Sequence, residues 1–333
     1  MTLNRRTILR TVIGVAISGV AIWILARSVD VPRTVDVLRT ANPAWILLMV
    51  VTVFLDVGSR GARWQALLAP IKRLPYRRVL AYTYIGYLAN NVLPARLGEL
   101  VRSHALGEGE RVSRPTVLGT VVVERIVDTV IVVGLAALAV VILGVGGTMS
   151  TAVLLGAGFV GVLVVALAVA MVSHRMPGAE RVTAVAERYP RILELARRLR
   201  DGLAVAGKPG TIARALILSA AAWTASIATF IAGGQSVGIE LTLSQAALLS
   251  SGVALATVVP SAPGYVGTFE LTAVQIAKVF GADPDASFAM ALLVHAMILA
   301  VTSVGGVTAA LRLGVGLETG GSSDEPVRET PGT

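Results

Sequence analysis

The sequence predicts an all-α polytopic membrane protein, and three observations carry that prediction. More than half of the 333 residues are hydrophobic (55 %), only 15 % are charged, and the mean hydropathy is +0.76, an apolar share above that of soluble domains. The apolar residues are gathered in runs long enough to cross a hydrocarbon core of about 30 Å at about 1.5 Å per residue. The basic residues that give a formal net charge of +9 crowd the ends of those runs. That placement points to topology and anionic lipid rather than nucleic acid.

The spans follow in order. Residues 8–26 form the first, behind Arg5 and Arg6; a cleaved leader is the alternative, but further spans follow and the polar flank has no convincing small-x-small cleavage site. In DVPRTVDVLRTAN, Asp30 suits an N-cap, Pro32 a first turn, and Val31, Val35 and Leu38 recur at helical spacing. A short helix on the outer interface is expected there. The second span, 43–68, runs into a segment with Arg60, Arg63, Lys72, Arg73, Arg77 and Arg78, which the positive-inside rule places in the cytoplasm. Spans at 115–143 and 150–172 form a hairpin around GVGGTMS, and 211–236 and 286–311 complete about six full crossings, with both termini cytoplasmic. Between them an amphipathic helix is expected at about 179–206, with Val182, Val185, Tyr189, Ile192, Leu195 and Leu199 at three- and four-residue spacing among arginines. The transmembrane domain thus covers 1–312, and 313–333, rich in Gly, Ser, Pro and acidic residues, reads as a disordered cytoplasmic tail.

Two stretches do not behave as ordinary crossings. Residues 79–112 have an apolar arm, then Pro94 and Gly98, then a charged arm, with basic flanks at both ends. Residues 243–281 have an apolar arm, then Pro260, Pro263, Gly264 and Gly267, then a second arm, with mostly acidic flanks. Proline breaks a helix and glycine permits the turn, so each reads as a re-entrant broken hairpin, the first entering from the cytoplasm and the second from outside. Gly98 and Gly264 each lie four residues after a proline, and two matched breaks of opposite entry suggest an inverted repeat with a site near the midplane. Kinks in ordinary spans are the alternative.

Charge inside these apolar stretches supplies the candidate site. Arg96, Glu99, Arg102, Glu124, Arg125 and Asp128 lie between Asn90 and Asp128, and each ionisable group costs roughly 2.5–3.5 kcal/mol on insertion into hydrocarbon. Glu124 and Asp128, four apart, share one helical face, about 14 Å from a helix start at Pro115. A lipid headgroup crossing the bilayer needs cations for its phosphate, for which Arg96, Arg102 and Arg125 are suited. It also needs anions for an amine, which Glu99, Glu124, Asp128 and Glu270 would offer. A structural ion-pair network locking the broken helices is the competing reading. Asn90 and Asn91 either join the site or cap backbone at the first break. Asp56, Arg60 and Arg63 repeat the pattern at i, i+4 and i+7 nearer the cytoplasmic end, with an intrahelical pair plus a snorkelling anchor as the alternative.

Other motifs carry no chemistry. Gly156, Gly158 and Gly161 spell G-x-G-x-x-G inside an apolar span with no preceding strand. Gly202 to Lys208 spells G-x-x-x-x-G-K, but Pro209 stands where a Ser or Thr would hold magnesium. His104, His174 and His295 are scattered, and there is no cysteine, so neither a metal site nor a cofactor is expected.

The runs NNVLPARLGELVR (Asn90 to Arg102), ERIVD (Glu124 to Asp128) and PSAPGYVGTFE (Pro260 to Glu270) together resemble the transmembrane region of lysylphosphatidylglycerol synthases. This flippase-like family includes the membrane half of the bacterial multiple peptide resistance factor. Where the family has a Gly-Gly pair, this chain has Gly264-Tyr265. The resemblance implies lipid translocation without the synthase half, hence a membrane phospholipid as substrate and a separate lipid synthase as a possible partner. An integral membrane enzyme acting on a lipid-linked group, or a non-catalytic partner of such a synthase, are the other functions in view. The resemblance and the Ala-, Val-, Gly- and Arg-rich composition imply a bacterial inner membrane.

Overall fold

The structure, a computed structural model, describes residues 5–93, 97–147, 151, 156, 158, 201–257 and 261–314. The expected span at 150–172, apart from 151, 156 and 158, and all but the last residues of the expected amphipathic helix lie outside the described residues, as does the tail beyond 314.

All regular structure among the described residues is helical. The helices are α1 (Arg5–Ala26), α2 (Val31–Arg39), α3 (Pro43–Leu68), α4 (Tyr76–Val92), α5 (Gly98–Gly109), α6 (Arg114–Leu143), α7 (Pro209–Ser236), α8 (Leu243–Ala256), α9 (Thr268–Val279) and α10 (Pro284–Leu313). Four of them, α3, α6, α7 and α10, are long and apolar enough to cross a membrane, and the bent pair α1–α2 would make a fifth. One face of each carries exposed large apolar side chains, with Val141 73 % and Leu311 79 % exposed, as lipid-facing surfaces require.

Local chemistry sets the helix ends. The Asp30 carboxylate accepts the Arg33 backbone N–H at 3.2 Å with Pro32 in the first turn, so α2 starts at the expected place and runs at 85° to the end of α1. Asp285 on α10 accepts the Asp30 N–H at 2.7 Å, and Arg33 reaches Asp283 and Asp285 at 3.4 and 3.5 Å, which pins α2 across the start of α10. Asn42 caps α3 through the Ala44 N–H and donates its own N–H to the Ser236 carbonyl at 2.8 Å, so α3 and α7 lie antiparallel, end to start. A β-carbon at Gly233 would overlap the Val294 side chain, which is why α7 can close on α10.

The core divides along α3. Toward its start, Met49 packs with Phe230, Leu248, Leu249, Phe269, Met290 and Val294. Toward its end, Val57, Trp64 and Leu68 pack with Tyr82, Ile85, Leu106, Val117 and Val301. Asp56, Arg60 and Arg63 lie on α3 at the level of the second cluster, beside Val57 and Trp64.

At each predicted break one helix stops and a separate one begins. Residues 93–97 separate α4 from α5, which pack on each other, and residues 257–267 separate α8 from α9. Within the second break Pro263 opens a single 3-10 turn, and Gly264 (φ 68°), Tyr265 (φ 61°) and Gly267 (φ 86°) all sit in the left-handed region. Tyr265 is the costly member of that set, because a side chain in this conformation loses about 1–2 kcal/mol relative to glycine. The turn packs against α4, so the two breaks meet inside the bundle.

Candidate functional site

A cavity of about 330 Å³ opens where the breaks meet. One wall is ionic and is supplied by α3 to α6: Asp56 and Arg60, Asn90 and Asn91, Glu99 and Arg102, Arg125 and Asp128. The other is apolar and aromatic and is supplied by α7 to α10, with Trp223, Leu255, Tyr265, Phe269, His295 and Leu299.

Behind the ionic wall lies a dense pair network. Arg63 is fully buried. It donates to Asp128 at 2.5 and 3.0 Å, to Glu124 at 3.0 Å and to the Ser219 hydroxyl at 2.8 Å. Glu124 Oε1 also accepts from Arg102 at 3.1 Å and from Arg125 at 2.7 Å, so three guanidinium groups converge on one oxygen. Arg60 bridges Asp56 (2.8 Å) and Asp128 (3.3 Å), and Arg125 reaches Asp128 (3.0 Å) and, at 4.0 Å, Glu99. Arg60, Arg63, Arg102 and Arg125 thus balance Asp56, Glu99, Glu124 and Asp128, four charges against four. That neutrality is what makes the cluster tolerable, since a buried charge stripped of its partner costs about 3–5 kcal/mol. Trp223 donates its indole N–H to Asp128 at 3.3 Å, while the Arg102 guanidinium lies 4.5 Å over the Trp64 ring, which further fixes the orientation of the charged groups.

The predicted residues that the structure describes take different places. Glu99, Arg102, Arg125 and Asp128 line the cavity, whereas Glu124 is buried one layer behind as the anchor of the network. Asn90 lines the cavity and also caps: its Oδ1 accepts the Gly98 N–H at 2.8 Å and starts α5. Asn91 donates instead to the hydroxyls of Thr302 (2.9 Å) and Ser303 (3.0 Å), joining the first break to α10. Gly98 is required by close approach, because a β-carbon there would overlap the Gly86 carbonyl and lie 2.6 Å from Asn90 Oδ1. Glu270 does not line the cavity. It caps α9 by accepting the Gly267 N–H at 2.7 Å and pairs with His295 Nδ1 at 2.6 Å. Gly267 packs against Ser18 and Ile22 of α1, which brings the second break under the first span. Arg96, Pro94 and Pro260 lie outside the described residues.

Two residues take roles the sequence alone did not reveal. Arg63 is not a snorkelling anchor: it lies at the centre of the pair network with 0 % exposure, while Asp56 and Arg60 do form the expected intrahelical pair. His295 is not an isolated histidine, since it stacks on Phe269 (centroids 4.2 Å apart), pairs with Glu270 and reaches the cavity. The available signal for both was an ionisable side chain in an apolar helix.

The glycosyltransferase AglD of Haloferax volcanii is 26 % identical over 358 aligned residues, covering 96 % of this chain and 57 % of that protein, so the chain spans little more than half of that relative's length. UPF0104 membrane proteins of Methanothermobacter thermautotrophicus (29 % identical over 32 % of each chain) and Methanocaldococcus jannaschii (28 % identical over 37 % of this chain and 38 % of that one) are also similar. The sequence pattern of the lysylphosphatidylglycerol synthase transmembrane region matches residues 11–306, and with nearly the whole chain covered, this multi-pass membrane protein belongs to that family.

Proposed function

We propose that the protein moves a polar-headed membrane lipid, anionic or zwitterionic, between the leaflets of a bacterial inner membrane by alternating access around its two broken segments. The observation that carries this reading is the cavity itself: an ionic wall and an aromatic wall enclose about 330 Å³ among membrane-spanning helices. That is near the lower end of the roughly 300–1,000 Å³ found for small-molecule pockets, room for a headgroup but not for acyl chains. Ionisable groups inside membrane helices mark substrate paths by default.

The charge balance suggests how a headgroup binds. Arg125 has the most exposed side chain of the four cations, at 42 %, and shares itself among Glu99, Glu124 and Asp128. A lipid phosphate would bind by taking over one of these carboxylate contacts, with Arg102 alongside and Arg96 as a further donor. The displaced carboxylate would then face the amine of a zwitterionic or aminoacylated lipid. In this reading the first break re-enters from the cytoplasm, the second from outside, as inverted repeats, and both termini are cytoplasmic. The lipid or an ion gradient drives the cycle. A separate lipid synthase would be the partner that supplies the substrate.

The similarity to a protein named a glycosyltransferase favours a second reading, an integral membrane enzyme acting on a lipid-linked group. One experiment separates the two. Purified protein in liposomes should move labelled phospholipid between leaflets and return it with unchanged mass, and Arg96→Ala and Glu124→Ala should abolish the movement in protein that still inserts. A change in lipid mass would establish the enzyme; wild-type movement in both variants would refute the cavity assignment.

A further inference from the structure

A second cavity lies outside the bundle's centre, on the face shared by α3, α4 and α10, and measures about 790 Å³. Its long wall runs down α10 from Met297 to Arg312, about 22 Å at 1.5 Å per residue, more than half of a hydrocarbon core of about 30 Å. Along that length it is apolar, with Val50, Phe54, Leu80 and Val304, and Phe54 and Val304 stand 52 % and 67 % exposed. At one end it closes in arginine: Arg77, Arg78 and Arg312, with no acidic residue in the lining.

Those arginines are not all spent internally. Arg78 pairs with Glu110 at 3.1 Å, but no ion pair or hydrogen bond joins Arg77 or Arg312 to another described residue. The groove is also walled off from the central cavity. Thr83 and Thr302 face the centre while their neighbours Tyr84 and Val301 face the groove. Gly306 lets α4 and α10 close between the two, since a β-carbon there would stand 2.8 Å from the Tyr84 carbonyl oxygen.

An apolar slot with a cationic end has the form of one phospholipid. We propose that this groove is a binding site for an anionic phospholipid, with an acyl chain along α10 and the headgroup phosphate on Arg77 and Arg312. It is distinct from the translocation path and does not depend on that reading. Basic pockets between membrane helices are a known means of holding anionic headgroups, and each arginine near the surface contributes about fivefold in affinity.

The test is native mass spectrometry of the full chain with phosphatidylglycerol or phosphatidylcholine of identical acyl chains. Wild type should retain phosphatidylglycerol preferentially, and Arg77→Gln/Arg312→Gln should lower that preference roughly thirty-fold. Ala300→Trp, on the exposed groove wall, should lower retention of both lipids. Millimolar inorganic phosphate should not compete, because the slot selects the chain as well as the phosphate. An unchanged preference in the double arginine variant overturns the proposal, as does full competition by inorganic phosphate. A preference that appears only in a variant ending at Gly314 would assign the arginines to the acidic tail instead. Transbilayer movement measured in the same variants keeps the outcome separate from that of the central cavity.

Discussion

Replacing Arg63 with methionine removes one cation from a balanced set of eight and keeps the side chain's apolar bulk. The change breaks contacts to both oxygens of Asp128, to Glu124 and to Ser219, and leaves the network with an excess negative charge. Breaking a buried pair from one side costs about 3–5 kcal/mol. Here the cost should fall near 3 kcal/mol, because Glu124 keeps Arg102 and Arg125 and Asp128 keeps Arg60 and Arg125. Adding Asp128→Leu restores neutrality with three charges of each sign, so the double variant should be more stable than the sum of the singles by about 1.5–3 kcal/mol. Reversible unfolding in mixed micelles, followed by tryptophan fluorescence, reads both quantities. An Arg63→Met cost below about 1 kcal/mol, the range of exposed ion pairs, together with additive behaviour in the double variant, would refute the buried network.

Three further outcomes follow from the breaks and the topology. Asn90→Ala should lose the cap on α5 and cost about 1 kcal/mol, seen as faster hydrogen exchange at Gly98 and the residues after it. Gly98→Ala forces a β-carbon into the Gly86 carbonyl and should prevent α4 and α5 from packing, so that purified yield and unfolding midpoint both collapse while Leu100→Ala, at an exposed site, leaves them unchanged. Because the chain has no cysteine, single cysteines report sidedness cleanly: Thr40→Cys should react with a membrane-impermeant maleimide from outside, and Gly207→Cys should not.

Much of this architecture is legible in the residues. The helix limits at 43–68, the α2 cap at Asp30 and both interruptions follow from local signals, namely apolar length, a capping aspartate, and Pro with Gly. Glu124 and Asp128 were traceable to one inward face because side chains four apart are neighbours on a helix. What escaped is non-local. Arg63 lies only about 8 Å from the end of α3, where an arginine ordinarily reaches for the interface, and nothing near it in sequence reveals partners 61 and 65 residues away. Glu270 reads as a site carboxylate from its type and depth alone, but the left-handed Gly267 turns its backbone N–H toward that carboxylate, and His295 arrives from a helix 25 residues on. Spacing assigns a face to a residue, while the partner on that face depends on tertiary packing.

If the cavity between the two breaks is the path of a lipid headgroup, altering it from either wall should stop transbilayer movement in liposomes. Arg125→Gln removes the exposed cation of the ionic wall, and Ala254→Trp fills the space from the opposite side. Both proteins should insert and unfold like wild type to within a few kcal/mol, yet move labelled phospholipid at the rate of protein-free liposomes. Movement at the wild-type rate in Ala254→Trp would contradict the account.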